Sequence, residues 1–396
     1  MLMWTIVIFI LVLSFLVVAH EFGHFIVARK SGMKVYEFGI GFPPRAGGIY
    51  RDPKTKKWRF ISGKGKSRLA ETVGGEQRIE EFPATLYSIN WLPLGGFVKI
   101  KGENGEDAGE RDSFGYQKTW KKLATLVAGV TMNFLVAAVL LGIGFMIGLP
   151  TDVSRGIPEG GILIEEPKVF IQSVVADSPA EKAGIKAGDI VTMIGEERVL
   201  GSMQLTEIVH ERAGTKLTLS LERATETLEI AVMSEVLEGE FGSDGRARLG
   251  VLLADAGVIR FPWYSALEKG FIAAFSGLIA VFVGLYLLLK TLIFGGGMAF
   301  DVAGPVGIAA IVGNSARQGI NHLIQVTAMI SLSLAAINIL PIPALDGGRA
   351  LFVIIEKLTG RKVPLKYEQL AHTIGFVLLM LLIVFVTFKD VMGIVK

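Results

Sequence analysis

The sequence predicts a polytopic α-helical membrane protein of about four transmembrane helices, with a membrane-associated β-hairpin region and one small β-rich domain inserted between spans. Three observations predict it. Of 396 residues, 51% are hydrophobic, too many for one soluble domain. The apolar residues gather in runs long enough to cross a hydrocarbon layer of about 30 Å, separated by charged stretches. The charge is also unevenly spread: residues 29–122 carry 19 Lys/Arg against 11 Asp/Glu, and residues 151–268 carry 11 against 20. Basic residues cluster at the span ends, at Arg29, Lys30, Lys34, Lys118, Lys121 and Lys122. Residues 29–118 are therefore expected in the cytoplasm and 151–268 outside. The chain has no cysteine, which excludes a disulfide framework, a thiolate metal site and a cysteine nucleophile. A net charge of +3 gives no footprint for nucleic acid.

Residues 1–28 form the first span. Val17-Val18-Ala19 resembles a cleavage site, but no Lys or Arg precedes the apolar run, so a signal peptide is not expected. Residues 29–118 read as a cytoplasmic or membrane-re-entrant β-rich region. KKWRFIS and GGFVKIKG alternate like strands, and Gly39, Gly41, Gly95 and Gly96 permit tight turns. Residues 119–150 are the second span, which contains Asn133 and the packing glycines Gly142, Gly144 and Gly148. In 155–254, strand-like runs alternate with short helix signals and Gly turns. Residues 262–313 are apolar again. If 269–294 crossed the membrane, another crossing would be needed before residue 324, and 302–313 is too short for one. Residues 269–294 are therefore read as interfacial or packed against the core, and 262–313 as an interfacial, membrane-associated helical segment. Residues 321–358 and 366–390 supply the remaining spans.

The stretch FLVVAHEFGHFIVARK sets two histidines and a glutamate near the end of the first apolar run. An ionisable group at bilayer depth costs about 2.5–3.5 kcal/mol on insertion scales, so its default reading is functional. Residues four apart share a helix face. His20 and His24 can thus converge on a metal ion, with Glu21 beside them able to polarise a water. His20-Glu21-Phe22-Gly23-His24 is the HExxH pattern of zinc-dependent proteases; a pair of satisfied core histidines is the bland alternative. Catalytic zinc takes three protein ligands and leaves a position for water. The third should be another ionisable group at the same depth. NILPIPALDGGRAL offers Asp346, with Pro341 and Pro343 interrupting the helix before it. Broken backbone at this depth is tolerated where it lines a cavity. Alone, Asp346 reads as an Asp-Gly turn at the membrane surface; beside HExxH it reads as a ligand.

Residues 155–254 resemble a bacterial PDZ domain, notably in Ser178-Pro179-Ala180, Ala183-Gly184-Ile185 and Gly188-Asp189-Ile190. The resemblance implies a helix at 203–212. It also implies a peptide-binding strand and carboxylate loop in RLGVLL, with Leu249, Gly250 and Val251 in the loop. Almost the whole chain resembles the site-2 proteases, intramembrane zinc metalloproteases, and within them the bacterial regulator-of-sigma-E protease branch. The matching segments are HEFGH, GIGF at 39–42, PLGGFVKIKGE at 93–103, AGVTMNF at 128–134, GPVGIA at 304–309 and NILPIPALDGG at 338–348. Carried over residue by residue, His20, His24 and Asp346 correspond to the ligands of one zinc ion. Glu21 corresponds to the general base, and Asn338 to an asparagine associated with the active site. Segment 36–100 corresponds to a β-rich element beside the substrate, with Gly95, Gly96, Phe97 and Val98 as substrate-binding positions. There are departures: Val130 stands where many relatives have proline, Arg349 where some have histidine, and one PDZ domain fits where well-known relatives carry two.

The resemblance implies regulated intramembrane proteolysis of single-span membrane proteins, of the anti-sigma-factor or signal-peptide-remnant type. It implies a multi-pass protein of the bacterial inner membrane, with the PDZ domain on the outer face and the active site toward the cytoplasm. Its partners would be the bilayer, transmembrane-helix substrates, and a peptide or C-terminus at the PDZ domain. Two other classes compete. A metal or ion transporter would use the same intramembrane His, Glu and Asp as an ion path, but the sequence shows no repeated half. An inactive PDZ-bearing scaffold would not need the intact HExxH and LDG motifs.

Overall fold

The computed structural model describes residues 2–62, 71–73, 76–78, 82–105, 109–154, 156–175, 177–223, 226–236, 247–294 and 303–395. Parts of three expected regions lie outside the described residues: 63–70 and 79–81 of the β-rich region, 237–246 of the PDZ-like domain, and 295–302 of the segment read as interfacial. The chain divides into two compact units, residues 1–142 with 269–396, and residues 143–268.

In the first unit α1 (Leu2–Lys30) is followed by β1 (Val35–Arg51), β2 (Trp58–Ser62), β3 (Glu71–Val73), β4 (Glu76–Arg78), β5 (Leu86–Ile100) and α2 (Thr119–Ile147). At 1.5 Å per residue a helix the length of α1 reaches about 44 Å, more than the hydrocarbon needs. β2, β1 and β5 form one sheet in that order, and β3 pairs with β4 alone. Both long strands bend. Residues 38–40 of β1 pair with 96–98 and also with 87–89 of β5, and 47–49 pair with 87–89 again. Segment 96–100 therefore borders the sheet among the described residues. A buried ion pair holds the bend. Arg45 donates to Glu37 through Nη2 at 3.0 Å and Nε at 3.3 Å, and the Ser88 hydroxyl donates to the same carboxylate at 2.6 Å. At the sheet tip Ile40, Phe42, Ile89, Trp91, Leu92 and Leu94 are exposed. Water penalises such a patch and hydrocarbon does not.

The second unit holds β6 (Leu149–Asp152), β7 (Ile162–Val174), α3 (Pro179–Lys182), β8 (Ile190–Ile194), β9 (Glu197–Arg198), α4 (Ser202–Glu211), β10 (Lys216–Arg223), β11 (Glu226–Met233), β12 (Glu235–Val236), β13 (Ala247–Arg248) and β14 (Val251–Arg260). The main sheet runs β11-β10-β8-β7-β14-β6. Strand alternation builds the core: Leu217, Leu219 and Leu221 of β10 point inward with Ile171, Ile194 and Leu205 of α4. Helix α4 coincides with the one expected at 203–212.

The chain ends with α5 (Trp263–Phe294), α6 (Pro305–Gln318), α7 (Ile320–Asn338), α8 (Asp346–Thr359) and α9 (Leu365–Val395). Among the described residues five helices are long and apolar enough to cross a membrane: α1, α2, α5, α7 and α9. About four were expected, with 262–313 interfacial. That segment is helical as expected, but its first helix runs unbroken for 32 residues, long enough to cross, before α6 of 14 residues. Parity counts crossings and is blind to helix length; α5, at 32 residues, is at least as long as α1, α2 and α9. The expected span 321–358 is two helices, because the Pro341/Pro343 turn separates α7 from α8. Helices α2 and α7 are the inner pair: 44% and 39% of their apolar spans are buried, against 11% of α1 and 6% each of α5 and α9.

In the second unit Asp189 is 1% exposed. It accepts two hydrogen bonds from Arg223, each 2.7 Å, and one from the Lys186 N–H at 2.9 Å. Burial works to raise the Asp189 pKa, but the Arg223 and backbone hydrogen bonds outweigh it and hold it below the ordinary 3.8. A carboxylate held low contributes stability above its unfolded pKa and loses it as pH falls through the folded one. Asp189→Asn should therefore destabilise this unit by about 1.5–3 kcal/mol at pH 7. In thermal unfolding followed by circular dichroism, the gap to the parent should close below about pH 4. A gap independent of pH would show that the carboxylate charge is not what stabilises.

Candidate metal centre

His20 and His24 lie one turn apart on α1, each only 7% exposed. Asp346 opens α8 on the far side of the turn that follows α7. The three side chains offer one donor atom each within 4.8 Å of one another. His20 Nε2 lies 2.9 Å from Asp346 Oδ2, His24 Nε2 lies 3.4 Å from the same oxygen, and the two Nε2 atoms are 3.1 Å apart. Two imidazole nitrogens and a carboxylate oxygen at one point suit a zinc ion with one position left open.

Helix α2 faces this point with a stripe spaced four residues apart. The Thr125 carbonyl accepts the His24 Nδ1–H at 2.7 Å. Asn133, fully buried, lies with its carboxamide nitrogen 3.2 Å from His20 Nδ1. Between them sits Gly129, where an added Cβ would come within 2.4 Å of His24 Nε2 and 2.6 Å of His20 Nε2. The missing side chain is the space in which the ligand atoms meet. Gly23 brings the helices this close, since a Cβ there would lie 2.4 Å from the Ala128 carbonyl oxygen.

The turn carrying Asp346 is braced from both sides. Ala344 has φ +79°, a conformation that costs a non-glycine residue about 1–3 kcal/mol. Its N–H donates to His372 Nδ1 of α9 at 2.8 Å. Gly375 of α9 lets Pro343 approach, since a Cβ there would lie 2.3 Å from the Pro343 carbonyl oxygen. Arg349 pairs with Glu103 and donates to Asn104 Oδ1 at 3.0 Å, tying α8 to the turn after β5.

Glu21 is half-buried beside the cluster and makes no side-chain hydrogen bond or ion pair among the described residues. Asn338 ends α7, half-buried, and no hydrogen bond joins it to the three donors among the described residues. Gly95 and Gly96 press β5 against α1: their added Cβ atoms would lie 2.9 Å from Val17 Cγ1 and 3.1 Å from Val18 Cγ2. Phe97 and Val98 pair with Gly39 and Phe38 of β1. In the second unit Leu249 is buried, with its carbonyl accepting from Ala180 N–H at 2.9 Å, and the Gly250 carbonyl accepts from Val175 N–H at 2.8 Å. Val251 opens β14, opposite Val174. Three contributors escaped the sequence reading: Thr125, Gly129 and Asn133. Asn133 carried a signal, a carboxamide inside an apolar span, whereas Thr125 acts through its backbone and carries none.

Gly129→Ala should remove metal binding while the helices still assemble. The check is zinc content after purification beside the metal-free thermal midpoint. Stoichiometric zinc in Gly129→Ala would show that the gap opposite the histidines is not the metal's place.

Comparison with known proteins matches residues 8–61 and 77–382 to the model of peptidase family M50. A Clostridium acetobutylicum protein named as a candidate zinc metalloprotease is 30% identical over 98% of this chain and 97% of its own length. The zinc metalloprotease RasP of Oceanobacillus iheyensis is 28% identical over 98% of this chain and 99% of its own. The regulator of sigma-W protease RasP of Bacillus subtilis is 28% identical over 98% of each. Among solved structures, a PDZ domain of the SdrC-like protein of Listeria monocytogenes aligns with 22% of this chain and 85% of its own, at 20% identity and a TM-score of 0.20.

Proposed function

The chain belongs to peptidase family M50, and on that premise we propose that it is a zinc metalloendopeptidase cutting transmembrane-helix substrates within the bilayer. The observation that carries the reading is the convergence of His20, His24 and Asp346 in a chain whose helices are apolar enough to cross a membrane. The substrates are single-span membrane proteins of the anti-sigma-factor or signal-peptide-remnant kind. The basic flanks of α1 and α2 support a cytoplasmic face for residues 29–118 and an outer face for residues 155–254.

His20, His24 and Asp346 hold one zinc ion. When bound it supplies Lewis-acid polarisation of a scissile carbonyl and a nucleophile at neutral pH. Glu21, with no side-chain hydrogen bond among the described residues, takes the proton of the attacking water and delivers it to the leaving nitrogen. Asn338, at the end of α7, steadies the substrate near the cut. A transmembrane helix hides its carbonyls in its own hydrogen bonds and must unwind before it can be cut. The bordering segment 96–100 of β5 offers a strand to pair with, and the contacts of Gly95 with Val17 and of Gly96 with Val18 set its start within one turn of His20 along α1. In the PDZ-like unit, the loop Leu249-Gly250-Val251 receives a peptide or screens bulky outer domains.

His24→Ala should lose most zinc, whereas Glu21→Gln should keep it and cut a membrane-spanning reporter about 10²–10⁴-fold more slowly. Full zinc in a His20→Ala/His24→Ala double variant would sink the assignment.

The strand role has its own test. Val98→Pro removes an N–H donor from the receiving strand. Cleavage of a reporter with a stable leucine-rich span should fall about tenfold, with zinc content unchanged. A reporter with a Gly-Pro break should fall less, because it needs less unwinding. Equal parent and variant rates on both reporters would remove this strand from the mechanism.

A further inference from the structure

We infer that Asn133 is the positioning residue of the centre: its side-chain carbonyl accepts the Nδ1–H of His20 and so presents the His20 Nε2 lone pair to the metal. This rests on the zinc reading above. A histidine that ligates through Nε2 carries its proton on Nδ1, and an acceptor there fixes both tautomer and ring orientation. His24 has that acceptor in the Thr125 carbonyl, 2.7 Å from its Nδ1. The group facing His20 Nδ1 is Asn133, which carries both a donor and an acceptor at the end of one side chain.

As the residues lie, the Asn133 nitrogen faces His20 Nδ1 at 3.2 Å. A donor at Nδ1 puts the ring proton on Nε2, which then hydrogen-bonds to Asp346 Oδ2 at 2.9 Å and cannot ligate. In this arrangement the Asn133 Oδ1 is buried without a hydrogen-bond partner among the described residues. A half-turn of the carboxamide exchanges two ends of nearly equal size without displacing a neighbour. The idle oxygen then faces Nδ1–H, and Nε2 is free to bind. One residue thus serves both tautomers of His20, with its nitrogen when the ring bonds Asp346 and with its oxygen when the ring holds metal. The rest of the residue is fixed. Asn133 is 0% exposed, and its backbone carbonyl accepts the Ser331 hydroxyl of α7 at 2.8 Å.

The test is the zinc dissociation constant of the full-length protein in detergent, by competition with a chelator. Parent, Asn133→Asp, Asn133→Leu and Asn133→Ser are compared, with the metal-free thermal midpoint of each. Asp keeps an acceptor at the same reach and should bind zinc nearly as tightly as the parent. Leu fills the space without an acceptor, and Ser is too short to reach; each should bind about 10–100-fold more weakly. A space-filling role predicts the reverse order, because an unpartnered buried carboxylate disrupts more than an isosteric apolar side chain. Parent-like affinity in Leu or Ser, or an Asp variant as weak as Leu, would overturn the inference. Ser decides the acceptor question if Leu does not fold. A parent protein without stoichiometric zinc would instead overturn the metal reading itself.

Discussion

The approach of α1 to α2 at Gly23 and Gly129 is the constraint on which the centre depends. At Gly23 the α1 backbone lies against the backbone of α2 at Ala128, and at Gly129 the α2 backbone lies against the two imidazoles, with no Cβ at either glycine to hold them apart. Two histidines four residues apart on α1 then face positions 125, 129 and 133 of α2, a stripe with the same spacing. The outer members of the stripe meet the two imidazoles, and the middle one is empty. A methyl group at position 129 would occupy the point where the donors converge. Inner helices in hydrocarbon gain little from apolar contact, so small residues and buried hydrogen bonds hold them instead. Here the same small residues make room for the chemistry.

The third donor reaches this point from a different direction. Asp346 sits where one helix stops and another starts, and the connecting turn is held in an unfavourable conformation at Ala344 by His372 of α9. Arg349, one turn along α8, joins Glu103 and Asn104 beyond the end of β5. The middle of that strand rests on α1: Ser14 donates to the Pro93 carbonyl at 2.7 Å, and Gly96 lies against Val18. The strand is thus tied to α1 at its middle and to α8 beyond its end. A shift of the sheet would be felt by α1 and by α8 together.

Much of this was legible in the sequence, and the limits have physical causes. His20, Glu21 and His24 stood out because ionisable groups are expensive in an apolar helix. Asp346 stood out because two prolines and two glycines mark broken backbone beside it. The strands of 36–100 were legible as alternation, but their bends were not: the pairing of 87–89 with two different parts of β1 depends on the buried Glu37–Arg45 pair, which looks in sequence like two surface charges. The crossing status of 262–313 was argued from parity, which says nothing of how far a helix runs, and α5 is as long as α1. Asn133 was visible as a polar residue in a span, yet one carboxamide reads the same whether it braces a helix or faces a ligand. Thr125 offers a main-chain oxygen, which any residue would have offered.

The donors are far apart along the chain: 326 residues separate His20 from Asp346. At about 5–20 residues per second, a ribosome needs roughly 16–65 s to travel between them. Through that interval the emerging polypeptide carries only a two-nitrogen half-site, open on the side that α8 later closes. The set of three donors is thereby left incomplete while the chain is itself being threaded in. The third donor arrives only when α8 joins, and the chain's own synthesis sets the delay.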